Sequence, residues 1–217
     1  MTALPAGPFS CILADPPWRF STYSEKGRDR SPDGPPSAAQ LRNASRQNSP
    51  ERHYPTMPLA DMLLLPVKEQ AARDCVLLMW AVDPMIPEAI ELGRTWGFTY
   101  KTVGFYWAKT RRETSTRGAD DDENTRFPMG TGYWTRANPE SCLLFTRGAP
   151  KRIATDVRKL IVAPRREHSR KPDEQYERIE RLVAGPYLEM FARQTRPGWT
   201  AWGNQTDKFT EYEGVFA

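Results

Sequence analysis

Six short apolar runs set the limits on what this chain can become: residues 9–14 (FSCILA), 75–80 (CVLLMW), 100–108 (YKTVGFYWA), 141–146 (SCLLFT), 187–191 (YLEMF) and 199–202 (WTAW). Each has the length of a β-strand, and none approaches the roughly 18 apolar residues needed to cross a bilayer. Helical patterns lie between them. One runs from Pro84 to Trp96, with Asp83 as its expected N-cap and Gly97 just past its end. Another runs from Pro172 to about Val183, with proline in the first turn, Asp173 and Glu174 near the positive end of the dipole, and Gly185 beyond it. A short helix is expected after Thr56, through PLADMLLL. Strands alternating with helices predict an α/β fold. With 217 residues, one domain spanning 1–217 can bury a sizeable core.

Two segments carry no such pattern. Residues 21–50 are rich in Ser, Arg, Pro, Gly, Asn and Gln, and residues 110–126 mix Arg and Thr with the acidic run Asp120 to Glu123. Neither holds enough apolar surface to offset its ordering entropy, so both are expected to be flexible loops. The N-terminal MTALPAGPFS has neither a basic region nor a long apolar core, which predicts a cytoplasmic protein that is not membrane-bound.

Cys11, Cys75 and Cys142 each sit in or beside an apolar run and read as reduced core residues. With two histidines, His53 and His168, and no close Cys/His spacing, no metal is expected. The net charge of +4 is unevenly spread: nine basic residues fall between Arg147 and Lys171, opposed only by Asp156 and Glu167. Such a run is either a solvated face or a surface for phosphates, and the second reading places it beside the active site.

The first strand ends on Asp15, followed by Pro16, Pro17 and Trp18. Ligands of open α/β sheets collect at the carboxyl ends of strands. Two prolines, with φ fixed and no N–H groups, take the chain out of the sheet stiffly. The Asp15 carboxylate and the Pro16 carbonyl can then face one point as acceptors, with Trp18 and the proline rings as apolar faces. A flat ring bearing an NH₂ group, such as adenine, matches this arrangement.

DPPW at the end of an N-terminal strand resembles the signature of the MT-A family of N6-adenine methyltransferases, and other segments follow in the family's order. His53-Tyr54-Pro55-Thr56-Met57 resembles its Tyr-x-Thr-Met segment. VLLMW, a helix ending TWGF and a strand ending WAKT resemble its central section. GTGYW followed by PESCLLFTRG, then HSRKPDEQYERIERL, and finally LEMFAR followed by WGNQ, carry the likeness from about residue 9 to 207.

The resemblance implies a Rossmann-like methyltransferase fold in circularly permuted order, the catalytic motif preceding the cofactor strands. It implies S-adenosylmethionine as cofactor, S-adenosylhomocysteine as product, and transfer to the N6 amine of adenine. Asp15 and the Pro16 carbonyl would accept hydrogen bonds from that amine, with Pro17 completing the motif and Trp18 and Tyr54 flanking the base. Asp15 is also within the family's reach of the methionine ammonium. Lys171 would meet the methionine carboxylate or the reacting centre. Asn204, Gln205 and Arg193 would hold the cofactor's ribose and methionine, while Glu189 and Ser169 align with cofactor-pocket positions and Glu140 with a substrate position. Arg165 and Arg166 are the expected phosphate contacts.

There are departures. Between Arg193 and Trp199 the chain is about two residues shorter than eukaryotic members, so Thr195 and Arg196 receive no role, and LEMFAR has alanine where glycine is frequent. The resemblance leaves the residues around the cofactor's adenine unidentified. Freestanding compactness resembles bacterial or phage DNA modification enzymes, so DNA is the expected partner, for a monomer or homodimer, with RNA as the alternative. An inactive nucleic-acid-binding partner subunit and a small-molecule methyltransferase are the rival readings. Inactive relatives typically lose the DPPW acid or the cofactor residues, and this chain has Asp15, Lys171, Asn204 and Gln205.

Overall fold

The computed structural model describes residues 3–18, 56–111, 127–130, 135–167 and 170–209. The expected loop over 21–50 lies outside these, as does nearly all of the loop at 110–126. In chain order the elements begin with β1 (Phe9–Ala14), α1 (Leu59–Leu63), α2 (Val67–Gln70) and β2 (Ala71–Ala81). A 3₁₀ turn (Asp83–Met85) then leads into α3 (Ile86–Thr95), followed by β3 (Thr99–Thr110) and β4 (Glu140–Arg147). The chain closes with β5 (Leu160–Pro164), α4 (Glu174–Leu182), β6 (Tyr187–Met190) and β7 (Trp199–Trp202).

The strands form one seven-stranded sheet in the order β5-β3-β4-β2-β1-β6-β7. β4 runs antiparallel to both of its neighbours, while the β1–β2, β1–β6, β3–β5 and β6–β7 pairs are parallel. The sheet is therefore mixed α/β rather than wholly parallel. Helices cover both faces, so the alternation of β1 divides between two cores. Ile12 and Ala14 pack with Leu77, Leu143, Phe145 and the Ala89 and Leu92 side of α3. Cys11 and Leu13 pack with Leu78, Trp80, Phe105 and the Tyr176 and Ile179 side of α4. Burial on both faces is why these strands read as continuous apolar runs. All three cysteines are free and buried, and burial pushes the Cys75 thiol up to about 12.

Three expectations need correction. Asp83 does not cap a long helix: it opens the 3₁₀ turn, and α3 starts at Ile86 with no side-chain cap. The Asp83 carboxyl is raised by burial and by Glu140, with Lys109 opposing, which ties it to the end of the sheet instead. The later helix starts at Glu174 rather than Pro172, since Pro172 and Asp173 form the turn whose carbonyls receive the Gln175 and Tyr176 N–H groups. β5 was not anticipated, because LIVAP sits inside the basic run and charge masked its strand pattern. Gly97 does end α3, at φ 88°, a left-handed conformation suited to glycine.

The topology also splits the basic run. Since β4 is antiparallel, Arg147 lies at the end of the sheet opposite Asp15, where it donates to the Lys68 carbonyl at 2.6 Å. Parallel β5 then returns the chain, so Arg165 and Arg166 emerge at the Asp15 end. Only the later part of the run borders the site, not all nine charges. Among the described residues no helix is long and apolar enough to cross a membrane.

Candidate active site

The carboxyl ends of the parallel strands and the amino end of β4 meet at one edge of the sheet, bringing Asp15, Lys109, Glu140 and Lys171 together. The Lys171 ammonium donates to both Asp15 oxygens, at 2.8 and 2.9 Å, and lies 3.4 Å from Glu140 Oε2. It also sits 5.5 Å from the centroid of the Trp80 ring. Lys109 Nζ holds the other Glu140 oxygen at 2.6 Å. The result is an alternating row, Asp15, Lys171, Glu140 and Lys109. Burial alone would raise the Glu140 carboxyl, but Lys171 and Lys109 outweigh it and hold it down at about 2. Glu140, expected as a substrate contact, is engaged with these two lysines.

The proline motif has a defined geometry. The Trp18 N–H donates to the Pro16 carbonyl at 2.8 Å, using one of the two lone pairs expected for an incoming amine. The Met57 N–H donates to the Pro17 carbonyl at 3.0 Å, which ties the segment before α1 to the motif. Trp18 departs from its expected role as an open stacking face. It is 3 % exposed, with its indole N–H on the Trp80 carbonyl at 2.9 Å, and the apolar core takes its ring. Tyr54, the other expected flank of a base, and Ser169 lie outside the described residues.

Among the described residues two cavities adjoin Asp15. The larger, about 200 Å³, lies between Thr56, Met57, Pro58 and Asp61 on one wall and Gly203, Asn204 and Gln205 on another. The smaller, about 30 Å³, includes Trp80, Lys171, Glu189 and Gln194 in its lining. Asp15, Phe191 and Arg193 line both. Phe191 adopts φ 62°, a left-handed conformation unusual for a bulky residue, and this turns the chain at the end of β6 toward both cavities. At Gly203 a Cβ would come within 2.3 Å of the Ala192 carbonyl oxygen, so only glycine allows the loops after β6 and β7 this close.

A polar chain backs the smaller cavity. Arg166 pairs with Asp173, whose other oxygen accepts Gln194 Nε2 at 3.3 Å. The same Gln194 nitrogen lies 3.2 Å from the Tyr176 hydroxyl, which donates to Glu189 at 3.0 and 3.1 Å. Gln194 is 5 % exposed, and its Oε1 is buried with no hydrogen-bond partner among the described residues. Burial pushes Glu189 up to about 8, with the Tyr176 hydroxyl opposing and Asp15 and Asp173 reinforcing the rise.

This acid makes stability pH-dependent in a definite direction. Its folded value lies above the ordinary 4.5, so between 4.5 and about 8 the folded state binds more protons than the unfolded one. Stability from this group is complete below pH 4.5 and is lost as pH rises through 8. Thermal unfolding from pH 5 to 9 is expected to show a decline in the wild type that Glu189→Gln flattens. Parallel curves would mean that Glu189 titrates near its ordinary value in the folded protein.

Sequence reasoning gave no site role to Lys109, Trp80, Tyr176, Asp173 or Gln194. Lys109 had a signal, the strand-ending WAKT. Gln194 had none, since one polar residue after a strand is indistinguishable from a surface glutamine.

The MT-A70 family model matches residues 9–205. A Type II methyltransferase M.MunI from Mycoplasma sp is 32% identical over 206 residues, covering 92% of this chain and 78% of that protein. An N(6)-adenosine-methyltransferase MT-A70-like protein of Arabidopsis thaliana is 31% identical over 210 residues, 92% of this chain but 24% of the relative. The N(6)-adenosine-methyltransferase catalytic subunit METTL3 of Homo sapiens is 28% identical over 211 residues, covering 93% and 29% respectively. The chain thus spans about a quarter of the plant and human relatives and most of the Mycoplasma one.

Proposed function

The chain belongs to the MT-A70 family, and from that premise we propose that it transfers a methyl group from S-adenosylmethionine to the N6 amine of adenine in DNA. The observation that carries this reading is Asp15, held by Lys171 at the junction of two cavities and at the end of the strand where DPPW begins. β1, bearing that motif, comes before β6 and β7, whose ends carry Arg193, Asn204 and Gln205. This order supports the permuted arrangement.

The donor groups fit the cofactor. Asn204 and Gln205 offer amides suited to ribose hydroxyls, and Arg193 and Lys171 offer cations suited to the methionine carboxylate. The partnerless Gln194 Oε1 is an acceptor suited to a ligand N–H or O–H. When bound, S-adenosylmethionine supplies an electrophilic methyl on sulfonium. Asp15 accepts a proton of the target amine in a hydrogen bond, which orients the nitrogen lone pair. The second lone pair of the Pro16 carbonyl accepts the other. Lys171 fixes the Asp15 carboxylate by holding both oxygens, so the acceptor is aligned before substrate arrives. Buried Trp18 and the Met57–Pro17 hydrogen bond stiffen the loop that presents these acceptors.

The test is nucleoside mass spectrometry after incubation with methyl-labelled cofactor and either DNA or RNA. Label in N6-methyldeoxyadenosine is the expected result. Label in RNA alone would move the substrate to RNA, and label in neither would leave an inactive partner subunit or a small-molecule methyltransferase. The N(6)-adenosine-methyltransferase relatives are what favours the RNA alternative.

Arg165 and Arg166, at the site end of β5, are the proposed phosphate contacts. Arg166 must then exchange Asp173 for a phosphate. Replacing both with alanine should weaken DNA binding and flatten its salt dependence by roughly 0.9 per lost contact, without changing cofactor affinity. Titrations over a range of salt concentrations measure it, and an unchanged slope would make these arginines a solvated face.

A further inference from the structure

We infer that Asp61 is the cofactor's adenine-recognition residue, its carboxylate accepting the exocyclic 6-amine of the purine in the larger cavity. This rests on the methyltransferase reading and names a contact within that site.

Asp61 lies in the first turn of α1 and lines the larger cavity with Met57 and Pro58, across from Asn204 and Gln205. The wall that carries it is anchored at two points, the Trp18–Met57 bridge and Met62. The Met57 N–H donates to the Pro17 carbonyl, and a β-bridge joins Trp18 to Met57. One residue beyond Asp61, Met62 is 1 % exposed, and its carbonyl accepts the Trp96 indole N–H at 3.0 Å. The turn therefore sends Met62 into the core and leaves Asp61 exposed on the cavity wall. Among the described residues no ion pair holds Asp61, whereas Asp15 in the same cavity is gripped by Lys171.

The distribution of charge orients the ligand. The cofactor has a carboxylate at its methionine end and a neutral amine donor on its purine end. Lys171 and Arg193 lie on the side shared with the smaller cavity, which suits the carboxylate. The wall bearing Asp61, which no cation pairs among the described residues, offers an acceptor to a ligand donor together with the apolar Met57 and Pro58 surfaces against which a flat ring can lie. Asn204 and Gln205 then fall between the two ends, opposite the ribose. The target adenine has the same 6-amine, so the shared chemistry is a 6-aminopurine. The extended run of polar groups from Arg193 to Asn204 favours the cofactor.

The test is calorimetry of the whole protein, without nucleic acid, using S-adenosylhomocysteine and S-inosylhomocysteine, in which oxygen replaces the amine. The wild type should bind the adenosyl ligand about tenfold more tightly, as expected for a hydrogen bond to a charged acceptor. Asp61→Ala should remove the preference by weakening only the adenosyl ligand. Asp61→Asn, whose amide can accept from the amine or donate to the oxygen, should bring the two ligands together. As Asp61 is exposed, both variants should melt like the wild type, which separates recognition from folding. A discrimination ratio that is the same in the wild type and both variants overturns the inference. So does an unchanged ratio accompanied, in a separate methylation assay, by a raised half-saturating oligonucleotide concentration in Asp61→Ala, which would assign Asp61 to the substrate adenine. A wild type that binds neither ligand would instead overturn the methyltransferase reading.

Discussion

Asp15→Ala is expected to lower methyl transfer by about 10²–10³-fold, the usual cost of removing one preorganised polar group at a reacting centre, while the protein still folds. Asp15 is not part of the apolar core: its side chain is 22% exposed and its contacts are made through Lys171. Lys171 keeps Glu140 and the Trp80 ring when Asp15 is gone, so the cation is not stranded. Asp15→Asn is the sharper variant. It keeps the size of the side chain and one acceptor oxygen, but it replaces the other oxygen with a donor that faces both Lys171 and the incoming amine. Its turnover should therefore fall nearly as far as that of alanine. Single-turnover methylation with saturating cofactor, beside a melting curve, measures both claims. Activity above about a tenth of the wild type in either variant would remove Asp15 from the reacting centre.

The architecture was legible where burial dictates residue type. Strands with both faces covered must be apolar throughout, and β1 has the limits that the run at 9–14 predicts. Edges and ends were less legible. β5 shares one side of the sheet with β3, and Leu160 and Val162 on it are 54% and 42% exposed. With little to bury, its signal was lost among neighbouring arginines and lysines. Asp83 had the chemistry of a cap, but the chain opens a 3₁₀ turn there, and burial with the Glu140 charge raises its carboxyl, surroundings that local propensity does not encode.

The same division holds at the site. DPPW declared itself because an acid, two prolines and a tryptophan stand together at the end of an apolar run, and Asn204 and Gln205 because two amides end a tryptophan-rich strand. Trp18 was misjudged for a physical reason: an aromatic beside a catalytic acid can stack on ligand or anchor its own loop, and only the partner of its N–H distinguishes the two. That partner, the Trp80 carbonyl, is 62 residues away. The expected basic surface was halved because sequence does not reveal that β4 reverses direction. The polar chain from Arg166 to Glu189 joins Tyr176 of α4 and Glu189 of β6 to residues of two connecting segments, so no spacing in the sequence announces it.

The second large effect is expected at Lys171, where stability and catalysis can be separated. Its side chain is 9% exposed and links Asp15 to Glu140, so Lys171→Met leaves two carboxylates facing the space a cation filled. Breaking a buried pair by removing one partner costs 3–5 kcal/mol, and the partial exposure of Asp15 puts the expected loss near the lower end, about 3 kcal/mol. Lys109 limits the damage at Glu140, but among the described residues Asp15 has its ion pair with Lys171 alone. Methyl transfer should fall at least as far as in Asp15→Ala, since the acceptor is then neither aligned nor charge-balanced. Adding Asp15→Asn to Lys171→Met removes the stranded charge, and replacing both members of a buried pair is often neutral. Urea unfolding should accordingly show the double variant more stable than Lys171→Met alone, while activity stays lost. Equal stability of the two would mean that solvent already screens the Asp15–Lys171 pair. Recovery of activity in the double variant would mean that neither charge takes part in methyl transfer, because the chemistry would then run without the acid and without the cation that holds it.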